Sequence, residues 1–204
     1  MKDNPLKSLS YKNFNIDIYN DSNPENPRNW ESLSNMIFFH KKYIIGDKHE
    51  YKANDYNGWD ELEKGIKSKE DIAIILPVYM YDHSGLTIST KPFSCPYDSG
   101  QIGYVIVTKS SIRRWFNVKK ITKAILEKAQ NCLEIDIKTY DSYLRGDVFG
   151  YVIKEGEEEI DSCWGYFGYS IDSCWGYFGY SVNEDEWEVV KAAKECINGY
   201  EKEN

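Results

Sequence analysis

The chain has 204 residues, of which 41% are hydrophobic, 28% charged and 15% aromatic, and its formal net charge is −8. This length suits a single domain over 1–204, and the 17 Tyr, 8 Phe and 6 Trp exclude a disordered or fibrous chain. The mean hydropathy is −0.62 and no apolar run approaches the roughly 18 residues of a membrane span, so we expect no integral membrane protein.

The first part of the chain is rich in strand patterns. Phe14–Tyr19 alternates apolar and polar residues, Met36–His40 is a short apolar run, and Ile72–Tyr81 gives the strongest strand signal. Pro77 lies within the last of these and predicts a bulge or an edge position, because proline cannot donate to a sheet ladder. Between the second and third strands, apolar residues at spacings of three and four predict a short helix over 58–68.

The second part adds two strands over 86–90 and 102–108, then a long helix over Val118–Cys132 with lysines opposite its apolar face. A strand over Val148–Ile153 and a C-terminal helix complete the pattern. Apolar residues at spacings of three and four from Trp187 to Ile197 mark this helix, and Glu184, Asp185 and Glu186 form its acidic first turn. This order predicts an α+β fold with a mainly antiparallel sheet, one long central helix and a C-terminal helix. We expect one sheet to hold Ile72–Tyr81, Ile102–Thr108 and Val148–Ile153, with three helix residues buried against it: Ile121, Ile125 and Ala129.

Five cysteines stand at positions 95, 132, 163, 174 and 196. The number is odd, no CxxC pair occurs, and the N-terminus lacks the apolar region of a signal peptide, so we expect reduced thiols in a cytoplasm. Without knuckle spacing a cysteine-type zinc site is not expected. The sequence predicts no cofactor.

An exact tandem repeat marks the C-terminal part. Residues 160–170 and 171–181 both read IDSCWGYFGYS. Because a period of 11 is odd, one continuous strand through both copies would turn equivalent side chains to opposite faces. We therefore expect only one of Trp164 and Trp175 to be deeply buried, with the other copy in a loop, a hairpin partner or an exposed edge.

The charge is unevenly distributed. Residues 155–204 hold 13 acidic and three basic residues, a net charge of −10, whereas a basic run surrounds Trp115 within 109–128. A pI near 5.0 argues against a protein that coats DNA. Either both regions are solvated faces, or the acidic lobe docks on a basic partner. The docking hypothesis assigns the contact to Glu155, Glu157, Glu158, Glu159, Asp161, Glu184, Asp185 and Glu186.

Histidines and aspartates at strand ends offer an alternative site. If those ends meet, the side chains could hold a divalent metal through His40, Asp47, Asp82, His83 and Asp98, or supply acid–base catalysis through the same set without Asp47. Asp and Ser before Gly also form ordinary tight turns, and no HxH or HExxH spacing enforces a metal.

Several ordered segments carry a resemblance. They are Asn26–Trp30 (NPRNW), the MIFFH and GD segments at 36–47, YDHSG at 81–85, YDSGQIG at 97–103, GDVFGY at 146–151 and DSCWG at 161–165. Together they resemble a family of small proteins of obscure function that bacteriophages and other mobile elements carry. The resemblance spans about 20–168 and typically includes one DSCWG segment, so the second copy is a departure.

The resemblance implies a phage accessory protein in the cytoplasm of a bacterial host, and by analogy an antagonist of host defence of the anti-CRISPR or anti-restriction type. We expect a non-enzymatic inhibitor whose acidic lobe docks on a host protein or nucleoprotein complex with a basic surface. The alternative is a small metal-dependent hydrolase or nucleotide-binding protein that uses the His/Asp cluster.

Overall fold

A computed structural model describes residues 4–83, 85–168 and 187–203, and over these residues the chain forms four α-helices and two antiparallel sheets. This confirms the α+β fold with a C-terminal helix. No helix in the described ranges combines the length and the apolar character that crossing a membrane requires. The chain divides into two compact units, one of which, Met1–Glu25 with Arg145–Asn204, draws on both ends of the sequence. The other is Asn26–Leu144.

The elements follow in chain order, with short 3-10 helices at Pro27–Asn29 and Ala53–Asp55. They are β1 (Lys7–Tyr11), β2 (Phe14–Asn20), β3 (Asn35–Phe38), α1 (Trp59–Lys69), β4 (Ile72–Asp82), β5 (Leu86–Ser89), β6 (Ser99–Thr108), α2 (Lys109–Trp115), α3 (Lys123–Arg145), β7 (Val148–Glu155), β8 (Glu158–Phe167) and α4 (Glu188–Glu203).

The discontinuous unit contains the sheet β1-β2-β7-β8 and helix α4. Alternate residues of β2 and β7 face α4, as strand geometry requires, and form an apolar core with it. The buried members of this core are Phe14, Ile16, Ile18, Phe149, Tyr151, Ile153, Val189, Val190, Ala193 and Ile197. Helix α4 covers only this face, so the intervening residues of β2 and β7 lie on the opposite side of the sheet.

The continuous unit contains the sheet β3-β6-β4-β5 between two helices. On one face, residues such as Met36, Val78 and Val105 pack on α3 through Leu133 and its neighbours. The other face packs on α1. The central strand β6 is therefore buried throughout 102–108.

Two predictions are wrong: the strand neighbours of Val148–Ile153 and the first residue of the long helix. Val148–Ile153 forms strand β7 as predicted, but it pairs with β2 and β8 and not with the sheet of β4 and β6. A local strand pattern gives no information on which strand is its neighbour. The long helix begins at Lys123 and not at Val118, because the Thr122 hydroxyl accepts a hydrogen bond from the Ile125 amide (3.4 Å) at its N-terminus.

Helix α3 then continues to Arg145, thirteen residues past the predicted end at Cys132. Of its expected buried residues, Ala129 is fully buried, and Ile121 and Ile125 are half-buried against the core of this unit.

Candidate functional site

The DSCWG segment forms the middle of β8, which has a bulge directly after Trp164. Tyr151 lies opposite Cys163 and Phe149 opposite Tyr166, so β8 has one extra residue between these pairs. Gly165 supplies it with a φ of +84°, a conformation that favours glycine. Tyr166 packs with the α4 core, whereas Trp164 lies on the side of the sheet away from α4. We call that side the open face.

The indole of Trp164 lies against the backbone of β7, because Gly150 has no side chain at that position. A Cβ atom at Gly150 would lie 2.2 Å from the Cε3 atom of the indole. The Tyr19 ring lies beside the indole, with centroids 6.1 Å apart. Trp164 nevertheless stays 47% exposed. The first repeat copy therefore leaves its tryptophan at the surface, and Trp175 lies outside the described residues.

A cleft of about 490 Å³ lies on the open face beside these rings. Its apolar lining comes from Leu6, which is 54% exposed, with Val152 and the two rings. Its polar lining includes Ser162 and Lys154. The cleft thus combines an aromatic floor with a few polar groups, as binding surfaces commonly do.

An ion pair fixes the middle of the open face. The Lys154 ammonium donates to Asp17 Oδ2 at 2.7 Å, and the Ser8 hydroxyl donates to Asp17 Oδ1 at 2.5 Å. Burial alone would raise the pKa of Asp17, but these two hydrogen bonds outweigh it and hold the pKa below its ordinary value. The hydrogen bond between Lys154 and Asp17 also raises the pKa of Lys154.

Four carboxylates lie at the turn of the β7–β8 hairpin, and we call them the acidic tip: Glu155, Glu157, Glu158 and Glu159. All four are exposed, and none forms an ion pair with another residue in the described ranges. Glu159 also lines the cleft. The acidic tip therefore borders the aromatic part of the open face.

The other predicted acidic residues lie elsewhere. Asp161 is half-buried, and its Oδ2 atom accepts hydrogen bonds from Tyr151 Oη (3.2 Å) and Cys196 Sγ (3.1 Å). Burial together with this carboxylate raises the pKa of the Cys196 thiol, and burial raises the pKa of Tyr166 to about 12. Glu184, Asp185 and Glu186 lie outside the described residues.

The structure brings only part of the His/Asp set together. The His83 Nδ1 atom lies 3.4 Å from Asp98 Oδ2, with both side chains largely exposed. His40 stacks on the Tyr43 ring at 4.9 Å, and the Tyr43 hydroxyl donates to Asp82 at 3.2 Å. His40 Nδ1 accepts hydrogen bonds from the backbone amides of Lys42 and Tyr43.

Asp47 has a separate structural role. It accepts two hydrogen bonds from Arg28, at 2.9 and 2.6 Å, and a third from the Met36 amide at 2.7 Å. The Arg28 side chain is only 7% exposed, so this pair joins the NPRNW and GD segments inside their unit. Across the described ranges, no group of three or more His, Cys, Asp or Glu side chains has a geometry that could hold a metal ion.

Local sequence patterns do not indicate which residues lie beside Trp164 on the open face. Strand β1, which follows Leu6, was not predicted, and the pairing of β2 with β7 could not be read from local patterns. Alternation in β2 does place Tyr19 on the face opposite Ile16 and Ile18, and this signal was available in the sequence.

No protein-family model, curated protein or solved structure is significantly similar to the chain.

Proposed function

We propose that the protein is a non-enzymatic binding protein that docks its open face and acidic tip on a basic surface of another macromolecule. In line with the phage resemblance, that partner is a host defence or nucleic-acid-processing complex, and docking inhibits it. The observation that carries the proposal is the half-exposed Trp164, fixed over Gly150 at the border of four unpaired carboxylates.

The aromatic part of the open face supplies the centre of the interface. Tryptophan and tyrosine are over-represented among the few residues that dominate binding free energy, and truncating such a residue costs about 2 kcal/mol or more. Trp164 already has its indole ordered by the flat backbone below and Tyr19 beside it. Binding therefore requires little further ordering of this side chain.

The acidic tip supplies a charged border. None of its carboxylates forms a salt bridge in the described ranges, and the charge of Glu157 acts on Lys154 only at longer range, so most of their field extends into solvent. Such a field speeds association with a basic surface and disfavours acidic partners. The cleft between the tip and the indole gives room for one side chain of the partner.

The second candidate is a small hydrolase or nucleotide-binding protein that uses the strand-end histidines. The contact of His83 with Asp98 favours it, because a carboxylate can orient an imidazole for proton transfer. The engagement of Asp47 with Arg28 removes one member of the proposed set.

The test is affinity capture from the natural bacterial host with four proteins: the parent, Trp164→Ala, the triple reversal of Glu157, Glu158 and Glu159 to Lys, and His83→Ala. We expect the parent and His83→Ala to retain the same partner, and the other two variants to lose it. Circular dichroism checks that each variant is folded. A partner that is lost with His83→Ala but kept by the triple reversal would contradict the proposal and favour the enzyme.

A further inference from the structure

The continuous unit has an unpaired strand edge. Strand β5 pairs with β4 only over Tyr79–Asp82, so residues 72–78 of β4 have no strand neighbour on that side within the described residues. The six residues 72–77 are all half-buried, whereas β6 on the other side of β4 is buried over 102–108. An apolar edge of this length presents backbone N–H and C=O groups to any extended chain.

A groove runs along this edge. Two adjoining cavities, of about 570 and 470 Å³, share four lining residues: Ile72, Ala73, Lys109 and Leu126. Leu126 of α3 is 37% exposed on the wall of the groove. The floor is therefore apolar and continuous with the strand edge.

The groove is electrically positive. Five cationic and two acidic side chains line it. Arg113 lies 4.0 Å from Asp71, but Lys109, Lys119 and Lys120 are exposed and form no ion pair in the described part of the chain. Unpaired ammonium groups beside an apolar floor favour a ligand that offers carboxylates and apolar side chains together.

We propose that the β4 edge binds an extended acidic peptide segment of a partner protein, which adds to the sheet as a further strand. Main-chain hydrogen bonds to residues 72–78 provide the register, alternate apolar side chains occupy the floor, and carboxylates face the three lysines. Pro77 removes one donor from the edge. This site lies in a different unit from the open face and does not depend on the function proposed for it.

The direct test uses a fluorescent peptide of about eight residues with alternating Glu and Val, long enough at ~3.4 Å per residue to cover the edge. We expect its binding to slow amide hydrogen exchange at residues 72–78. The matched peptide with Lys in place of Glu should not bind. A third peptide, N-methylated at two adjacent central amides, should lose binding because neither of its edges can pair with β4.

Two double variants of the protein test whether the lysines of the groove bind the peptide. The double reversal Lys119→Glu and Lys120→Glu should weaken peptide binding by about tenfold or more, since both exposed ammonium groups line the groove. The control, Lys128→Glu with Lys138→Glu, makes the same charge change at exposed α3 positions outside the groove and should bind as the parent does.

Three results would overturn the proposal. They are no binding of the Glu/Val peptide, equal binding of its N-methylated form, and tighter binding of an oligothymidylate of the same length. Equal binding of the N-methylated peptide would show that the groove attracts the peptide by charge alone and that no strand is added to the sheet. The third would show that it takes a phosphate backbone instead of a peptide.

Discussion

Single residues determine how the open face is built, and Gly150 has the clearest role. Its missing side chain lets the indole of Trp164 lie on β7, and the extra residue at Gly165 lets Tyr166, two positions after Trp164, face the α4 core. Gly150 belongs to the GDVFGY segment and Gly165 to the DSCWG segment. Their function as a pair could not be predicted, because it depends on the register of β7 against β8.

Replacing Gly150 with Ala should displace Trp164, since the new methyl group would lie 2.2 Å from a ring atom. Inserting a methyl group into a packed site costs about 1–3 kcal/mol, so we expect a loss of that order in the free energy of unfolding by urea. Gly199→Ala is the matched control. That position in α4 has open space around it, and alanine there should stabilise the helix by up to about 1 kcal/mol. Equal stability of Gly150→Ala and the parent would contradict this account of Trp164.

The Asp17–Lys154 pair predicts a pH dependence of stability. Because the pKa of Asp17 is lower in the folded chain than its ordinary value of 3.8, the unfolded state binds more protons between the two values, and stability rises with pH there. The stabilisation is complete above about pH 4, the ordinary carboxyl range, and is lost as pH falls through the folded pKa. Urea unfolding of Asp17→Asn should therefore show a smaller acid-induced loss than the parent. An identical loss in both proteins would contradict this.

At the scale of elements, local patterns predicted most of the strands and helices but not their partners. The apolar run of β4 and the spacing in α1 are properties of short segments, and both elements formed where the pattern placed them. Strand β7, in contrast, pairs with β2, which lies more than a hundred residues earlier in the sequence. Only part of the His/Asp set lies together: His83 contacts Asp98, whereas Asp47 binds Arg28, a pairing that no motif spacing indicates.

The repeat gives an element-scale prediction. Removing residues 171–181 or 160–170 yields the same sequence, because the copies are identical. The shortened chain retains all of β8, Glu158–Phe167, because the part of β8 within the repeat reads the same in both copies. The deletion takes eleven residues from between β8 and α4 and leaves both elements complete. We expect the deletion to leave a folded protein with nearly the parent melting temperature. Loss of soluble protein would show that the second copy has become structural.

At the scale of the whole molecule, charge separates the two kinds of surface. The acidic tip belongs to the discontinuous unit, and the lysine-lined groove belongs to the continuous one. The net charge of −8 hides this division, whereas counting charges along the sequence detected both regions. Counting could not distinguish Asp161, which binds Tyr151 and Cys196, from its exposed neighbours.

The central claim is that the acidic tip guides the open face onto a basic partner. Its most direct test is the association rate with the captured partner, measured by stopped flow over a range of ionic strength. Salt screens exposed charges over about 8 Å at physiological strength, so the rate for the parent should fall steeply as salt rises. The triple reversal of Glu157, Glu158 and Glu159 should associate slowly with little salt dependence, and His83→Ala should match the parent. If the triple reversal associates as fast as the parent at low salt, the acidic tip does not guide binding and the claim is wrong.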